Sequence, residues 1–283
     1  MIVLTWNIQW SRGCDGRVDP QRIVRAARET ADFDVLCLQE VARNFPGLEG
    51  SSGEDQFALL SAELPGFTPI EGVNTDVLGE DGARRQFGNL ILSRLPVLQA
   101  FRHLLPWPAD PEVPSMQRGA VEVVLQSPFG PVRVTTTHLE YYSLKQRTAQ
   151  VDQLRALQAE AAAHARDTED REKEGGPFRR QARPSAGILT ADFNFRAEDP
   201  LYERLQAPLG ESVPRYVDSW RVCHRDIPHQ PTLGLFDKGQ WPGPPFACDF
   251  IFVTEDLARR VRDVKVNLRT DASDHQPVVL TLG

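Results

Sequence analysis

The sequence predicts an α/β protein with one domain that spans residues 1–283. A strand, a helix and a second strand follow one another within the first forty residues, which is typical of a compact α/β fold. Apolar and alternating runs that are typical of strands continue in the same style to the end of the chain. Hydrophobic residues make up 41% of the chain and charged residues 25%, so the chain can bury one sizeable core.

The first half of the chain contains two predicted helices among five predicted strands. The first helix begins after Asp19, a favourable N-cap, with Pro20 at the first helical position. The turn at Phe129-Gly130-Pro131 joins two alternating runs, which predicts a hairpin. The predicted strands are 2–6, 34–38, 88–92, 119–126 and 132–137, the helices 20–31 and 57–64, and the loops 43–56, 71–86 and 106–114.

The second half of the chain opens with a long amphipathic helix that leads into a highly charged stretch. Residues 165–184 have scarcely any apolar content, so we expect a charged surface insertion within the single domain. The apolar face of the long helix is Leu144, Val151, Leu154, Leu157 and Ala161; a buried strand at Ile188 and Leu189, a helix at 199–206 and strands at 248–253, 263–268 and 277–282 follow.

Two polar residues, Asp192 and Asn194, follow the buried strand at Ile188 and Leu189. Residues i and i+2 of a strand point the same way, so a carboxylate and a carboxamide would emerge together where the strand opens into a loop. This pair suits a hard cation or a phosphate, because both side chains offer oxygens and the amide also donates hydrogen bonds. An Asx turn that ends the strand explains the same two residues, and this stretch alone favours the turn.

Polar residues also lie at or beside the ends of other predicted strands. Each one alone has an ordinary explanation, because Asn and Glu commonly end or cap elements and a lone His or Asp can be a hydrogen-bonded core residue. Together they supply oxygen ligands, two histidines and carboxylates that could orient them, which no single structural role explains. The set is Asn7, Glu40, His138, Asp192, Asn194, Asp249, Asp274 and His275.

Seven short motifs are spread over the whole chain, and six of them contain these residues. In their order along the chain, they resemble the endonuclease/exonuclease/phosphatase superfamily, which includes DNase I, exonuclease III, neutral sphingomyelinases and inositol polyphosphate 5-phosphatases. The resemblance implies a four-layered α/β/β/α sandwich of two packed, mostly antiparallel sheets with the site at one edge. The motifs are Thr5-Trp6-Asn7, Leu38-Gln39-Glu40-Val41, Gly88-Asn89 with Leu92-Ser93, Thr137-His138-Leu139, Asp192-Phe193-Asn194, Asp249-Phe250-Ile251 and Ser273-Asp274-His275.

The resemblance implies a metal site built from oxygen ligands. Glu40 would be the principal ligand, helped by Asn7, and Asp274 would join them. Oxygen-only ligation points to Mg²⁺ or Mn²⁺ rather than zinc. Asp192 and Asn194 would position the attacking water and the phosphate, or hold a second metal ion.

The resemblance also implies a histidine base and in-line hydrolysis of a phosphate ester. His275 would be the general base, and Asp249 would orient its ring and fix its tautomer. His138 would hydrogen-bond a non-bridging phosphate oxygen or the leaving group, and Arg118 would lie near this histidine and contact the phosphate. The metal ion and the histidines would stabilise negative charge on the phosphate oxygens.

Two positions depart from the pattern of the superfamily. Ala191 precedes Asp192, where members usually have Gly, and Ala does not tolerate positive φ, so the loop geometry there could differ. Ala247 stands where many members carry an arginine two residues before the strand aspartate, so any phosphate contact from that arginine is absent. Neither change removes a ligand or the base.

The substrate stays open at this level. The formal charge of -7 argues against broad, sequence-independent affinity for polyanions, although a local basic pocket is compatible with it. We expect a metal-dependent phosphodiesterase, such as a nuclease or a DNA-end-processing enzyme, with a sphingomyelinase or a small-molecule phosphodiesterase or phosphatase as alternatives. Trp107 and Trp241 could stack on a base or touch lipid, and packing at the rim of a loop explains them equally well.

A binding scaffold that kept the fold and lost catalysis is the alternative from another class. It should lack Glu40, Asp192 or His275, and all three are present. The first residues have no signal-peptide pattern, no stretch is apolar enough to span a membrane, and the four cysteines have neither zinc spacing nor the density of a disulfide scaffold. We therefore expect a cytoplasmic monomer whose partner is a phosphoester substrate, with nucleic acid as one option.

Overall fold

The computed structural model describes residues 1–167, residue 178 and residues 181–283. Twelve strands and six α-helices lie within this part of the chain. The strands are β1 (Ile2–Asn7), β2 (Val35–Arg43), β3 (Thr68–Leu78), β4 (Arg84–Ser93), β5 (Val97–Leu104), β6 (Gly119–Ser127), β7 (Gly130–His138), β8 (Gly187–Asp192), β9 (Tyr216–Asp218), β10 (Asp249–Thr254), β11 (Val261–Val266) and β12 (Val278–Leu282). The helices are α1 (Pro20–Thr30), α2 (Gln56–Ala62), α3 (Leu144–Arg166), α4 (Pro200–Gln206), α5 (Ser219–His224) and α6 (Glu255–Ala258).

The strands form two sheets of six strands each, with the orders β11-β12-β1-β2-β4-β3 and β5-β6-β7-β8-β10-β9. Most neighbouring strands are antiparallel, and β1 with β2 and β7 with β8 are the parallel pairs among the described strands. The first sheet therefore combines the two ends of the chain, because β12 pairs with β1.

The two sheets pack face to face through an apolar layer. β-Branched side chains dominate this layer because they pack well on a pleated surface. Helices α1 and α2 cover the outer face of the first sheet, and α3 and α4 cover the outer face of the second. These layers confirm the expected α/β/β/α sandwich. The layer between the sheets includes Val3, Cys37 and Ile91 from the first sheet and Val121, Val123, Val134, Ile188 and Ile251 from the second.

One predicted loop contains strand residues, and one strand lies where none was predicted. Residues 71–86 were expected to be a loop, yet β3 reaches Leu78 and β4 starts at Arg84. β3 is an edge strand with little burial, so its polar sequence lacks the apolar alternation on which the prediction relied. The edge strand β5 was missed for a similar reason, because prolines at 96 and 106 bracket it and prolines are tolerated beside edge strands.

The long helix α3 begins and ends close to its predicted bounds. Val151, Leu154, Leu157 and Ala161 are buried against the second sheet as expected, whereas Leu144 is 59% exposed because it is the first helical residue. Most of the charged insertion expected at 165–184 lies outside the described residues. The single-domain organisation, the monomeric state and the cytoplasmic location stay predictions.

Within residues 1–167, 178 and 181–283, no helix combines the length and the apolar content needed to cross a lipid bilayer.

Close approach between β3 and β4 depends on Gly88. A Cβ atom at Gly88 would collide with the backbone oxygen of Gly72 on the neighbouring strand. We expect Gly88→Ala to lower the free energy of unfolding by about 1–3 kcal/mol, which is the usual cost of overpacking. Denaturant-induced unfolding measures this loss. The control is Gly47→Ala, because nothing lies within 4 Å of a Cβ at Gly47; equal stability of the two variants would contradict the expectation.

Candidate active site

The register of three strands in the second sheet brings polar side chains to one edge. His138 is the last residue of β7, Asp192 is the last of β8, and the parallel pairing of these strands places the two residues opposite each other. Asp249 is the first residue of β10, which runs antiparallel to β8, so Asp249 also lies opposite Asp192. The predicted residues at these strand ends are therefore neighbours.

The first sheet contributes to the same edge. Asn7 is the last residue of β1, and Asp274 and His275 lie shortly before β12, which is antiparallel to β1. Glu40 lies in β2, the parallel neighbour of β1. A cleft of about 400 Å³ opens at this edge, and its lining includes Glu40, Arg118, His138, Asp192, Asn194, Asp274 and His275. The remaining two predicted site residues, Asn7 and Asp249, are buried and hydrogen-bond to residues of this lining.

A β-bulge in β2 places Glu40 at the cleft. The register between β2 and β4 shifts between Leu38 and Val41, and Glu40 has a left-handed φ of 59°. The preceding Gln39 points between the sheets, where its amide donates to the hydroxyls of Thr5 at 3.0 Å and Thr136 at 2.7 Å. A regular strand does not include a left-handed residue, so this strain is local to the cleft.

Asp192 and Asn194 form an Asx turn and also face one site, which are the two arrangements that the sequence left open. The backbone N–H of Asn194 donates to Asp192 Oδ1 at 3.0 Å, which is an Asx turn. Both side chains nevertheless line the cleft. Strand alternation, which the sequence suggested, does not explain why both side chains face the cleft. The strand β8 ends at Asp192, and Asn194 has a left-handed φ of 52°. Ala191 is a regular strand residue, so the turn forms without glycine at that position.

His275 and Asp249 form a buried pair. His275 Nδ1 lies 2.8 Å from Asp249 Oδ2, and the Thr232 hydroxyl donates to the same oxygen at 2.5 Å. A carboxylate acceptor at Nδ1 fixes the ring proton on that nitrogen. The other ring nitrogen, Nε2, is directed away from the carboxylate. His275 Nε2 lies 3.6 Å from Asp192 Oδ2, so it faces the cleft.

Carboxylates around His275 raise the pKa of its imidazole well above the usual value. Burial opposes the charged form, but the negative charges of Asp249, Asp192 and Asp274 outweigh that cost. The imidazolium form is therefore favoured at neutral pH with these carboxylates ionised. A general base must be neutral, so His275 can accept a proton only at higher pH or when these carboxylates are offset by positive charge.

His138 is held in the opposite charge state. Asn194 Nδ2 donates to the backbone oxygen of Leu139 at 2.9 Å and lies 2.9 Å from His138 Nε2, so Nε2 accepts a hydrogen bond and the ring proton lies on Nδ1. Burial and the nearby Arg118 guanidinium lower the pKa of His138 to about 3. The ring is therefore neutral at physiological pH. Within the described residues, His138 Nδ1 is buried without a hydrogen-bond partner, 3.6 Å from Glu40 Oε1.

Arg118 lies in the cleft near His138, as the resemblance implied, and it is anchored from behind. Its Nε lies 3.3 Å from Glu140 Oε2. The other carboxylate oxygen of Glu140 accepts hydrogen bonds from the backbone N–H groups of Tyr141 and Tyr142, both at 3.0 Å. Glu140 therefore holds the guanidinium and the loop after β7 together, and it was not among the predicted site residues.

Three carboxylates, from β2, from β8 and from the loop before β12, share the cleft: Glu40, Asp192 and Asp274. Burial and the charge of Asp274 raise the pKa of Glu40 to about 7. Asn7 Nδ2 donates to Glu40 Oε1 at 3.0 Å and to Asp192 Oδ2 at 2.9 Å, whereas its oxygen accepts the N–H of Gln9 at 3.0 Å. In this conformation Asn7 therefore links two carboxylates, and its oxygen is not directed at the cleft.

A comparison with known families identifies the chain. The model of the Endonuclease/Exonuclease/phosphatase family matches residues 4–275. The chain belongs to this family. Its members are generally phosphoesterases, and they typically use divalent metal ions. No curated protein sequence matches the chain.

Solved structures of this family share the fold of the chain at low sequence identity. An endonuclease/exonuclease/phosphatase from Beutenbergia cavernae is 24% identical, with a TM-score of 0.69 over 100% of this chain and 72% of that chain. The mannosyl-6-phosphatase of Bacteroides thetaiotaomicron is 18% identical, with a TM-score of 0.67 over 100% of this chain and 99% of that chain. Truncated Caenorhabditis elegans TDP2 is 18% identical, with a TM-score of 0.63 over 99% and 96%.

The residues of this family member fit a divalent cation. Among the described residues, no Lys or Arg nitrogen lies within 4 Å of the Glu40, Asp192 or Asp274 carboxylates. Clustered carboxylates without a Lys or Arg partner repel one another, and the raised pKa of Glu40 reflects burial together with the charge of Asp274. Carboxylate oxygens are also the ligands that Mg²⁺ and Mn²⁺ prefer.

Several residues of the cleft were not predicted from the sequence. Trp10 lines the cleft within a run of three left-handed residues, Gln9–Ser11, with φ between 43° and 62°. No glycine marks this run, so the sequence carries no signal for it. The sequence suggested that Trp241 stacks on a base, touches lipid or packs at the rim of a loop, whereas its Nε1 donates to Asp274 Oδ2 at 3.0 Å. Thr232 lies in a polar stretch far from any motif, and only the fold brings it to Asp249.

Protons and a divalent cation should compete for Glu40. Because the pKa of this carboxyl is raised to about 7, lowering the pH from 8 to 6 protonates it. We expect the Kd for Mn²⁺ to rise about tenfold over this range, since the ionised fraction of such a group falls about tenfold. Titration calorimetry of the metal-free protein measures the Kd. Glu40→Gln should bind Mn²⁺ weakly at both pH values, and a pH-independent Kd in the wild type would contradict the expectation.

Proposed function

We propose that the chain is a metal-dependent phosphodiesterase in which His275 exchanges a proton with the attacking water. The observation that carries this proposal is the buried His275–Asp249 pair, whose free Nε2 faces Asp192 in a cleft with two further carboxylates. A histidine with one nitrogen held by a carboxylate and the other directed at a water-accessible cleft suits general acid–base catalysis.

Glu40 and Asp274 would hold the Mg²⁺ or Mn²⁺ ion. Asp192 lines the same cleft and would share this role. Asn7 would contribute an oxygen only after its amide turns, because that oxygen accepts the Gln9 N–H. When bound, the ion would neutralise charge on the phosphate oxygens and polarise the phosphorus. Trp241 would hold Asp274 in place, because its indole N–H donates to one oxygen of the carboxylate. The other carboxylate oxygen does not bond to the indole.

The proton of the attacking water would move to His275 Nε2. Asp249 keeps the other ring proton on Nδ1, so Nε2 is the nitrogen that presents a lone pair when the ring is neutral. Asp192 lies on the cleft side of Nε2, where a carboxylate can accept a hydrogen bond from the water and orient its lone pair. Thr232 also restrains Asp249, because its hydroxyl donates to the carboxylate oxygen that lies next to His275 Nδ1.

Neutral His138 and Arg118 would bind the phosphate, and Asn194 would hold the His138 ring in place, because its amide N–H groups are directed at Leu139 O and His138 Nε2. The Nδ1–H of His138 lacks a partner among the described residues and can donate to a phosphate oxygen. The Arg118 guanidinium adds a fixed positive charge, since Glu140 restrains it at the wall of the cleft. These donors would stabilise the charge that develops on the phosphate oxygens during in-line attack.

Asp249 should control both the rate and the pH dependence of hydrolysis. Asp249 raises the pKa of His275, and the base works only when neutral, so this carboxylate helps to set the pH at which activity increases. We expect Asp249→Asn to lower kcat about 10²–10⁴-fold and to move the acid limb of the profile to lower pH, because one raising charge is removed. The measurement is kcat against pH with bis-p-nitrophenyl phosphate and saturating Mg²⁺.

The chain offers a matched control for this variant. Asp218, which is buried, and His229, which is partly buried, form a second carboxylate–histidine pair, with Asp218 Oδ2 2.6 Å from His229 Nε2, and neither residue lines the cleft. Asp218→Asn should leave the pH profile unchanged, apart from any loss of stability. The proposed role of His275 would be wrong if Asp249→Asn or His275→Ala retained the wild-type kcat and profile.

Hydrolysis should depend on a divalent ion. We expect bis-p-nitrophenyl phosphate and at least one natural phosphodiester to be cleaved with Mg²⁺ and not with EDTA. A suitable panel holds single-stranded, duplex and abasic DNA, RNA, a 5′-tyrosyl oligonucleotide and sphingomyelin. Silence across the panel, with the metal bound and the protein folded, would favour the catalytically silent scaffold.

A further inference from the structure

A second cavity, of about 600 Å³, lies beside the cleft and is lined by three arginines, Arg196, Arg221 and Arg225. Arg196 follows Asn194 of the cleft by two residues. Phe246 also lines the second cavity, and its ring packs 6.3 Å from the ring of Trp241, which lines the cleft. We call this space the arginine cavity.

The guanidinium groups of the arginine cavity have few partners of their own. The Arg196 guanidinium lies over the Phe246 ring, 4.1 Å from its centroid, which leaves its N–H groups free at the ring edges. Across residues 1–167, 178 and 181–283, neither Arg196 nor Arg225 has a side-chain hydrogen bond or a carboxylate within 4 Å. Arg221 lies over the Tyr202 ring and reaches the exposed Glu203 only at 3.9 Å.

A structural role explains only part of this arrangement. Stacking of Arg196 on Phe246 and of Arg221 on Tyr202 stabilises the loops, but Arg225 makes no such contact among the described residues. The acidic residues of the lining, Glu198 and Asp226, do not pair with the arginines although they share the cavity. Arg196 and Arg225 have no carboxylate within 4 Å among the described residues and Arg221 has only Glu203 at 3.9 Å, so an anion with several oxygens would gain charge-assisted hydrogen bonds here.

The fold places these charges next to the cleft even though the whole chain has a formal charge of -7. Arg196 extends from the turn that carries Asp192 and Asn194, and Phe246 precedes β10, which carries Asp249. An anionic group bound in the arginine cavity would therefore lie beside the cleft. Phosphate suits the cavity because guanidinium groups bind its oxygens in a bidentate manner.

We propose that the arginine cavity binds a second phosphate of the substrate, an inference that rests on the proposed phosphodiesterase function for its first phosphate. The second phosphate belongs either to the next unit of a nucleic acid strand or to a small molecule with two phosphates. The chain then distinguishes substrates by the presence of this group, and Arg196 and Arg225 are specificity-determining residues.

Direct binding in EDTA tests the proposal without turnover. Calorimetry compares thymidine 5′-monophosphate, thymidine 3′,5′-bisphosphate and hexathymidylate with the wild type, the Arg196→Ala/Arg225→Ala variant and Arg259→Ala. Arg259 is an exposed arginine outside both cavities and serves as the matched control. We expect a ligand with a second phosphate to bind the wild type and Arg259→Ala about tenfold or more tightly than the monophosphate, and the double variant to lose this preference.

The ligands also distinguish the two sources of the phosphate. A preference for the bisphosphate indicates a small molecule, and a preference for hexathymidylate alone indicates a strand; both support the proposal. Equal binding of all three ligands to the wild type, or a preference that survives in the double variant, would overturn it. Hydrolysis of bis-p-nitrophenyl phosphate with Mg²⁺ is measured on the same proteins, where we expect no loss in the double variant. Absence of that hydrolysis in the wild type would contradict the proposed function and not the binding preference.

Discussion

Face-to-face packing of the two sheets is the interaction on which the site depends. Apolar residues of β1, β2 and β4 meet those of β6, β7, β8 and β10, and burial of this layer fixes the two sheets against each other. The site residues come from both sheets, so their spacing is determined by this contact. Asn7 illustrates the result, because its amide at the end of β1 donates to Asp192 at the end of β8. A shift of one sheet by one residue would separate these groups.

Departures from regular strand geometry occur at the cleft. Glu40 and Asn194 both have left-handed backbone conformations, and the run Gln9–Ser11 adds three more. Such conformations cost about 1–3 kcal/mol each for residues other than glycine. The pairing of β1, β2 and β8 with their neighbours supplies the stability that holds them. The bulge at Glu40 and the turn at Asn194 direct oxygen and amide groups into the cleft, which regular strands would not do.

Negatively charged side chains line the cleft, and positively charged side chains line the neighbouring arginine cavity. The cleft holds three carboxylates without a Lys or Arg partner among the described residues, and the arginine cavity holds guanidinium groups that are largely unpaired. A carboxylate cluster attracts a divalent cation, and the arginines attract an anion. The cleft with its cation would therefore suit one phosphate of a phosphorylated molecule, and the arginine cavity would suit another. The contrasting pKa shifts of His138 and His275 arise within the cleft itself, since burial and Arg118 act on one ring and carboxylates act on the other.

The sequence by itself determined the fold class, the family and the set of residues at the strand ends. Apolar periodicity identified most strands and helices, and the order of seven motifs indicated the sandwich, because both signals are local in the chain. Edge strands such as β3 were missed, since their stability comes from pairing rather than from their own polar sequence. The same limit hid Thr232 and Trp241, which reach Asp249 and Asp274 across the fold. The tertiary structure alone decided these contacts, the charge states of the two histidines and the position of the arginine cavity, because each depends on distances between residues remote in the sequence.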